Sequence, residues 1–262
     1  MKKIFAVLML ISISTAVFAA GSAEGVEAIQ QRGKLILGTS ADYAPYEFHT
    51  IIDGKDTIVG FDIEIAKVIA ADLGVELEIQ DIGFDGLLQA LNSGKVDMVI
   101  AGMTPTEERK KSVDFSDVYY VAQQSVLVRT EDADTYTSID ALAGEPVGAQ
   151  LSSIQEGLVK DEMPDSRLVA LGKIPDLVLE LKNEKVEALV VEQPVANGYV
   201  QANDDLAISP IQIGDVEGGS AVAVRKGSDE LLERINETLQ RLMADGSIDR
   251  FVAEANELNV TD

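Results

Sequence analysis

Strand-like and helix-like runs alternate along this chain at short intervals, and the alternation runs its course twice. In the first round KLILGTS (34–40) reads as a strand ending in a small-residue turn. GFDIEIAKVIAADLG (60–74) carries Ile63, Ile65, Ala66, Val68, Ile69 and Leu73 at broadly helical spacing, closed by Gly74 as a C-cap. VELEIQDI (75–82) alternates as a strand does, FDGLLQALNSG (84–94) is helical and stops at glycine, and VDMVIAGM (96–103) is an apolar strand. Short strands separated by helices pair in parallel through crossovers. The rhythm therefore predicts the α/β class, with a mostly parallel sheet covered by helices on both faces.

The second round uses EPVGAQ (145–150), SSIQEGLVKDEM (152–163), SRLVAL (166–171), IPDLVLELKNEK (174–185, Pro175 in the first turn) and VEALVVEQ (186–193). Two units of about 90–100 residues fit the size of a domain better than one large sheet. The expected organisation is a first lobe from 21 to 122, a second lobe from 126 to 217, and a return segment, 221–262, that completes the first. YYVAQQSVLVR (119–129) and GGSAVAVRKGS (218–228) are both extended in character, so the lobes should be joined by a two-strand hinge. Residues 228–258 read as two helices around Gly246, and Leu231, Leu232, Ile235, Leu239, Leu242 and Met243 form a stripe for packing on a sheet.

Residues 1–20 stand apart. Lys2 and Lys3 precede the apolar run IFAVLMLISI, and VFAA offers small residues for cleavage, the pattern of a secretory signal peptide. Cysteine is absent, so the exported chain must be held by core burial, and no cysteine at the cleavage point invites a lipid anchor. The expected location is the periplasm. Removing the leader's two lysines leaves 19 basic against 45 acidic side chains, net −26. Such a surface repels nucleic acid and anionic membranes and keeps the chain in solution, so neither nucleic-acid binding nor membrane insertion of the mature chain is expected.

In open α/β sheets, ligands bind beyond the carboxyl ends of the strands. After the first strand stand Ser40, Asp42, Tyr43, Tyr46 and Glu47; Phe84 opens a helix; after the third strand comes AGMTPTEER (101–109). There Thr104, Thr106, Glu107 and Arg109 bring hydroxyls and a fixed cation close to a strand end. An arginine beside free backbone N–H groups suits a carboxylate, held through two parallel bonds. In the second unit Ser152 and Ser153 open a helix, whose N-terminus attracts anions, and Glu192 stands where an ammonium group could be paired. No nucleophile, metal cluster or phosphate loop stands nearby. The pattern favours capture over catalysis.

GTSADYAPYEF, GFDIEIA, FDGLLQALNSGKVDM, AGMTPTEERKKSVDFSDVYY, VGAQLSSIQE, EALVVEQPVA and RLMADGSIDRF follow one another in an order that resembles the extracellular solute-binding proteins of polar amino-acid ABC transporters. That family contains the lysine/arginine/ornithine- and glutamine-binding proteins. The resemblance spans about residues 33–258 and implies the two-lobed, type II periplasmic-binding-protein fold. It implies that Arg109 clamps a ligand α-carboxylate and that Thr104 holds the same end. It also implies that the Gly102 carbonyl accepts from the α-ammonium, within a turn that includes Ala101 and Met103. Tyr43 and Phe84 would sandwich the ligand side chain. From the second lobe, Gln150 and the Ser153–Ile154 backbone would close over it, and Glu192 would pair the ammonium. The implied partners are a free L-amino acid and an ABC-transporter permease, met by a monomer without cofactor, metal or catalytic residue.

Three departures from the family pattern bear on specificity. Ser40 replaces an acid, leaving Asp42 as the nearby alternative; Glu192 replaces an aspartate; and Ser152-Ser153-Ile154 replaces a Gly-Thr-Thr turn. Two aromatic walls suit a flat guanidinium by stacking and cation–π attraction, which favours arginine or another basic amino acid, with glutamine or histidine as the alternative. An enzyme on the same fold, of the cyclohexadienyl dehydratase type, would need an acid or base beyond Glu192. Other residues have structural readings: Asp62 as a helix cap, Asp114 and Asp117 as turn or cap residues, Tyr119 and Tyr120 as hinge packing, and His49 as an inert surface histidine.

Overall fold

A computed structural model of the chain describes residues 25–214 and 218–259. The expected leader, residues 1–20, lies outside the described residues. In chain order the first elements are α1 (Val26–Arg32), β1 (Lys34–Thr39), β2 (Asp42–Tyr43), β3 (Glu47–Ile52), β4 (Lys55–Val59), α2 (Phe61–Asp72), β5 (Glu76–Asp81), α3 (Leu87–Asn92), β6 (Met98–Val99), α4 (Glu107–Lys110) and β7 (Val113–Tyr120). Then come β8 (Gln124–Arg129), β9 (Pro146–Gln150), α5 (Ile154–Glu162), β10 (Arg167–Leu171), α6 (Ile174–Lys182), β11 (Ala188–Glu192), α7 (Gln193–Ala202) and β12 (Leu206–Ile208). The last are β13 (Ser220–Arg225), α8 (Asp229–Ala244) and α9 (Ser247–Asn259).

Two five-stranded sheets carry the fold, in the orders β5-β1-β6-β13-β7 and β10-β9-β11-β8-β12. Each is parallel on one side and antiparallel on the other. β1 pairs in parallel with β5 and β6, setting Leu37 beside both Ile79 and Met98, while β13 runs antiparallel to β6 and β7. β9 pairs in parallel with β10 and β11, while β8 runs antiparallel to β11 and β12. The chain leaves the first sheet after β7, enters the second at β8, and rejoins the first at β13.

The central strands are sealed on both faces. Leu35, Leu37, Met98, Leu189 and Val191 have no exposed surface, as expected of parallel strands between helix layers. α8 buries Leu231, Ile235, Leu239 and Leu242 against the first sheet, whereas Met243, placed on that stripe by its spacing, is 39 % exposed.

Three features depart from the sequence reading. β2, β3 and β4 form a small antiparallel sheet. Its β3–β4 turn is Asp53-Gly54, both at positive φ (51° and 75°), the geometry that Asp-Gly favours in a tight hairpin. The strand expected over 186–193 ends at Glu192, and Gln193 already opens α7. Asp114 and Asp117 lie within strand β7 and not in a turn: Asp114 accepts from the Gly227 N–H at 3.0 Å and pairs with Lys226, and Asp117 accepts from Gln240 at 2.9 Å.

Candidate functional site

The carboxyl ends of β1, β6, β9 and β11 face one another across the gap between the lobes. A cavity of about 10 Å³, room for one water molecule at most, remains there. The first lobe lines it with Tyr43, Phe84, Ala101, Gly102, Thr104 and Arg109, the second with Gln150, Ser153, Ile154 and Gln155. Gln155 was not anticipated. It opens α5 one residue past the expected Ser153–Ile154 pair, and its amide donates to Gln124 at 2.8 Å.

Arg109 stands in the short helix α4, whose N-cap Thr106 accepts from the Arg109 N–H at 3.2 Å. Its guanidinium donates to the Thr104 carbonyl at 2.8 Å and, across the gap, to the Ser152 carbonyl at 2.9 Å. Its Cζ lies 5.4 Å from the centre of the Phe84 ring. Burial lowers its pKa to about 10, so it stays a cation at neutral pH. No carboxylate pairs with it among the described residues. Opposite, Ser153 caps α5, accepting from the Glu156 N–H at 3.2 Å and donating to the Gln150 carbonyl at 2.7 Å.

Four predicted residues line no part of this small cavity. Ser40 is buried behind the end of β1. Met103 lines a cavity of about 630 Å³ on one flank, whose wall also includes Phe84, Arg109 and Ser153. Asp42 lines a cavity of about 510 Å³ on another, with Lys173, Asp176 and Tyr199; Gln150 approaches its carboxylate at 3.4 Å. Burial raises the Asp42 pKa to about 7, with the charge of Lys173 acting against it. Glu192, fully enclosed, accepts from the Tyr46 hydroxyl, and its backbone N–H donates to the Tyr43 hydroxyl at 3.2 Å. Burial raises its pKa to about 7, opposed by hydrogen bonds from Tyr46 and Gln124.

The lobes are thus closed on each other through Arg109–Ser152, Tyr43–Glu192, Tyr46–Glu192 and Gln150–Asp42. Tyr46, noted in the sequence only as standing near the first strand, is central to this closure. It is fully buried, packs on Phe61 at 4.4 Å and meets Tyr120 edge-on at 5.8 Å.

Asp62 departs from its reading as a cap. Gly60 occupies the N-cap of α2, and the Asp62 carboxylate reaches away to accept from the Gly102 N–H at 2.8 Å and the Tyr119 hydroxyl at 2.7 Å. His49 is partnered by Asp56 at 2.8 Å and Asp81 at 3.3 Å. The aspartate contacts raise its pKa above the ordinary histidine value.

Among the described residues, no group of three or more histidine, cysteine or acidic side chains could hold a metal ion, and no helix is long and apolar enough to cross a membrane.

Similar proteins share this architecture and much of this sequence. The chain is 42 % identical over 254 residues to the arginine-binding extracellular protein ArtP of Bacillus subtilis (strain 168), covering 96 % of each chain. A crystal structure of the amino acid ABC transporter substrate-binding protein AbpA from Streptococcus pneumoniae, bound to L-arginine, superposes with a TM-score of 0.87 at 43 % identity, covering 89 % of this chain and 99 % of that one. The ancestral amino acid-binding protein AncCDT-1, a precursor of cyclohexadienyl dehydratase, superposes with a TM-score of 0.79 at 34 % identity, covering 87 % and 98 %. The family of bacterial extracellular solute-binding proteins, family 3, matches residues 35–255. With two α/β lobes closed over a cleft and a match along nearly its whole folded length, the chain belongs to that family of extracellular solute-binding proteins.

Proposed function

We propose that the protein captures a free, basic L-amino acid, arginine foremost, between its lobes and delivers it to the permease of an ABC transporter. The observation that carries this reading is Arg109, a partly buried guanidinium whose partners are two carbonyl oxygens and an aromatic face. A cation drawn part-way out of water without a counter-ion is left destabilised. A ligand α-carboxylate supplies the missing charge in the bidentate geometry that arginine favours.

The ligand's α-ammonium then pairs with Glu192 and the Gly102 carbonyl. Thr104 and the Ser153–Ile154 backbone hold the carboxylate, and Tyr43, Phe84 and Gln150 surround the side chain, whose far end points toward Asp42. The lobes comprise residues 21–122 with 221–262, and residues 126–217. They part to admit the amino acid, because the small space beside Tyr43, Gly102 and Gln150 has room for no more than one water molecule in the closed form. The ligand drives closure by binding the closed form more tightly than the open one. The leader, residues 1–20, sends the chain to the periplasm, where it works as a monomer. The basic preference is supported by the two aromatic rings beside the cleft, by Asp42, and by the arginine named for ArtP and bound to AbpA.

Titration calorimetry with the proteinogenic amino acids tests the assignment. Strong heat is expected from L-arginine and weaker heat from lysine. Heat from glutamine or histidine with none from arginine or lysine removes the basic assignment. Turnover of prephenate or arogenate overturns the reading as a whole.

A further inference from the structure

Glu47 is the least accommodated polar group among the described residues. It is fully buried, and neither carboxyl oxygen meets a conventional hydrogen-bond donor. The group it faces is another buried carboxyl, Asp62. Two carboxyls in contact away from water cannot both be ionised, so the pair shares one proton.

The surroundings decide where that proton resides. Asp62 accepts from the Gly102 N–H and from the Tyr119 hydroxyl, two bonds that favour its charged form. Glu47 has no comparable support. It is faced by Asp62 on α2, by Asp42 at β2 and by Glu192 from the second lobe, all of which disfavour a charge on it. The phenols of Tyr43 and Tyr119 also face the pair, and among the described residues no lysine or arginine forms an ion pair with either carboxyl. Burial pushes both carboxyls above the ordinary carboxylate range. With two donors on Asp62 and none on Glu47, the proton of the pair sits on Glu47 and the charge on Asp62.

That charge lies one peptide from the cleft. Gly102 lines the cavity with its backbone in the left-handed region (φ 54°), packed against the rings of Tyr43 and Tyr46. We propose that Asp62 is a positioning residue for ligand capture: using a proton held on Glu47, it fixes the Gly102 turn and sets a negative charge behind it for the ligand's α-ammonium group. The inference rests on the amino-acid-capture reading. It adds a second acid, outside the cleft wall, to Glu192 in the recognition of the ammonium end.

A test that fails separately from that reading compares two ligands on three proteins. L-Arginine and 5-guanidinopentanoate, the same molecule without its α-amine, are titrated into the wild type, Asp62→Asn and Glu47→Gln. Asp62→Asn should weaken arginine binding by about tenfold or more and 5-guanidinopentanoate by less than about threefold, because only arginine carries the group that the charge serves. Glu47→Gln retains a donor toward Asp62 and should weaken arginine less than Asp62→Asn does. A wild type that binds no amino acid overturns both readings. A wild type that binds arginine, with Asp62→Asn weakening the two ligands equally or not at all, overturns this inference alone.

Should Asp62→Asn fail to fold, infrared spectroscopy at about pH 8.5 gives an independent answer, since Asp42, Asp62 and Glu192 are mostly ionised there. A protonated-carboxyl band in the wild type that disappears in Glu47→Gln supports the proposal. Absence of that band from the wild type overturns it.

Discussion

Arg109 keeps unusual company for a half-buried cation, since carbonyl dipoles and a phenyl ring hold it where a carboxylate would suit it better. Its removal should therefore affect ligand binding far more than folding. Arg109→Ala is expected to shift the ligand-free melting temperature by only about 2–4 °C, as befits the loss of two neutral-acceptor hydrogen bonds. The stabilisation conferred by ligand should vanish, with affinity falling at least about a hundredfold. Arg109→Lys keeps the charge but loses the two-pronged geometry and should recover little of that loss. Thermal melts with and without arginine distinguish these outcomes; a full ligand-induced shift in Arg109→Ala refutes the carboxylate role. The place of Arg109 at the gap between the lobes was readable from its position just past a strand end. An arginine in a TEER turn is usually a solvated charge, however, and its proposed role came from the family resemblance. The lobe-closing contact of Glu192 was not legible. Its place at the end of β11 was readable, but its bond to Tyr46 joins residues 146 positions apart, beyond the reach of local pattern.

At the scale of elements, the start of α2 is the tightest junction in the first lobe. Gly60 sits at φ 126°, and a Cβ built there would lie 2.1 Å from the Tyr46 carbonyl oxygen, a backbone atom with little room to retreat. Gly60→Ala should cost about 3 kcal/mol or more in chemical denaturation, combining backbone strain with a steric clash. A cost under about 1 kcal/mol would mean that the hairpin sheet yields easily. Among the elements, strands with apolar runs and helices closed by glycine were legible throughout. The small β2–β4 sheet was missed, although Asp53-Gly54 between short extended runs is a hairpin signal. Asp62 was misread for a physical reason. An acid in the first turn of a helix usually serves the helix dipole, and only the folded chain shows Gly102 and Tyr119 competing for it.

Folding and lobe closure together bring several carboxyls out of water. Asp42 rises from 3.8 to about 7, Asp62 from 3.8 to about 6 and Glu192 from 4.5 to about 7, burial being the leading cause in each case. A raised carboxyl pKa means that the folded form binds protons the unfolded chain has released. The associated stability is present below the unfolded values and is lost as pH rises through the folded ones. The ligand-free protein should therefore melt several degrees lower at about pH 8 than at about pH 5. Glu192→Gln should flatten part of that slope. A ligand ammonium stabilises ionised Glu192, so binding near neutral pH should release protons, detectable as a calorimetric heat that varies with the buffer's ionisation enthalpy. A melting temperature that climbs steadily from about pH 5 to 8 would contradict this account of the closed cleft.

The gripping of one zwitterion by opposite lobes is most directly examined by a crystal structure of the protein grown with L-arginine. The expected result is a ligand carboxylate held bidentately by Arg109, an ammonium between Glu192 and the Gly102 carbonyl, and Tyr43 and Phe84 on either side of the side chain. An Arg109 guanidinium turned to solvent, with the ligand's carboxylate bound elsewhere, would contradict it.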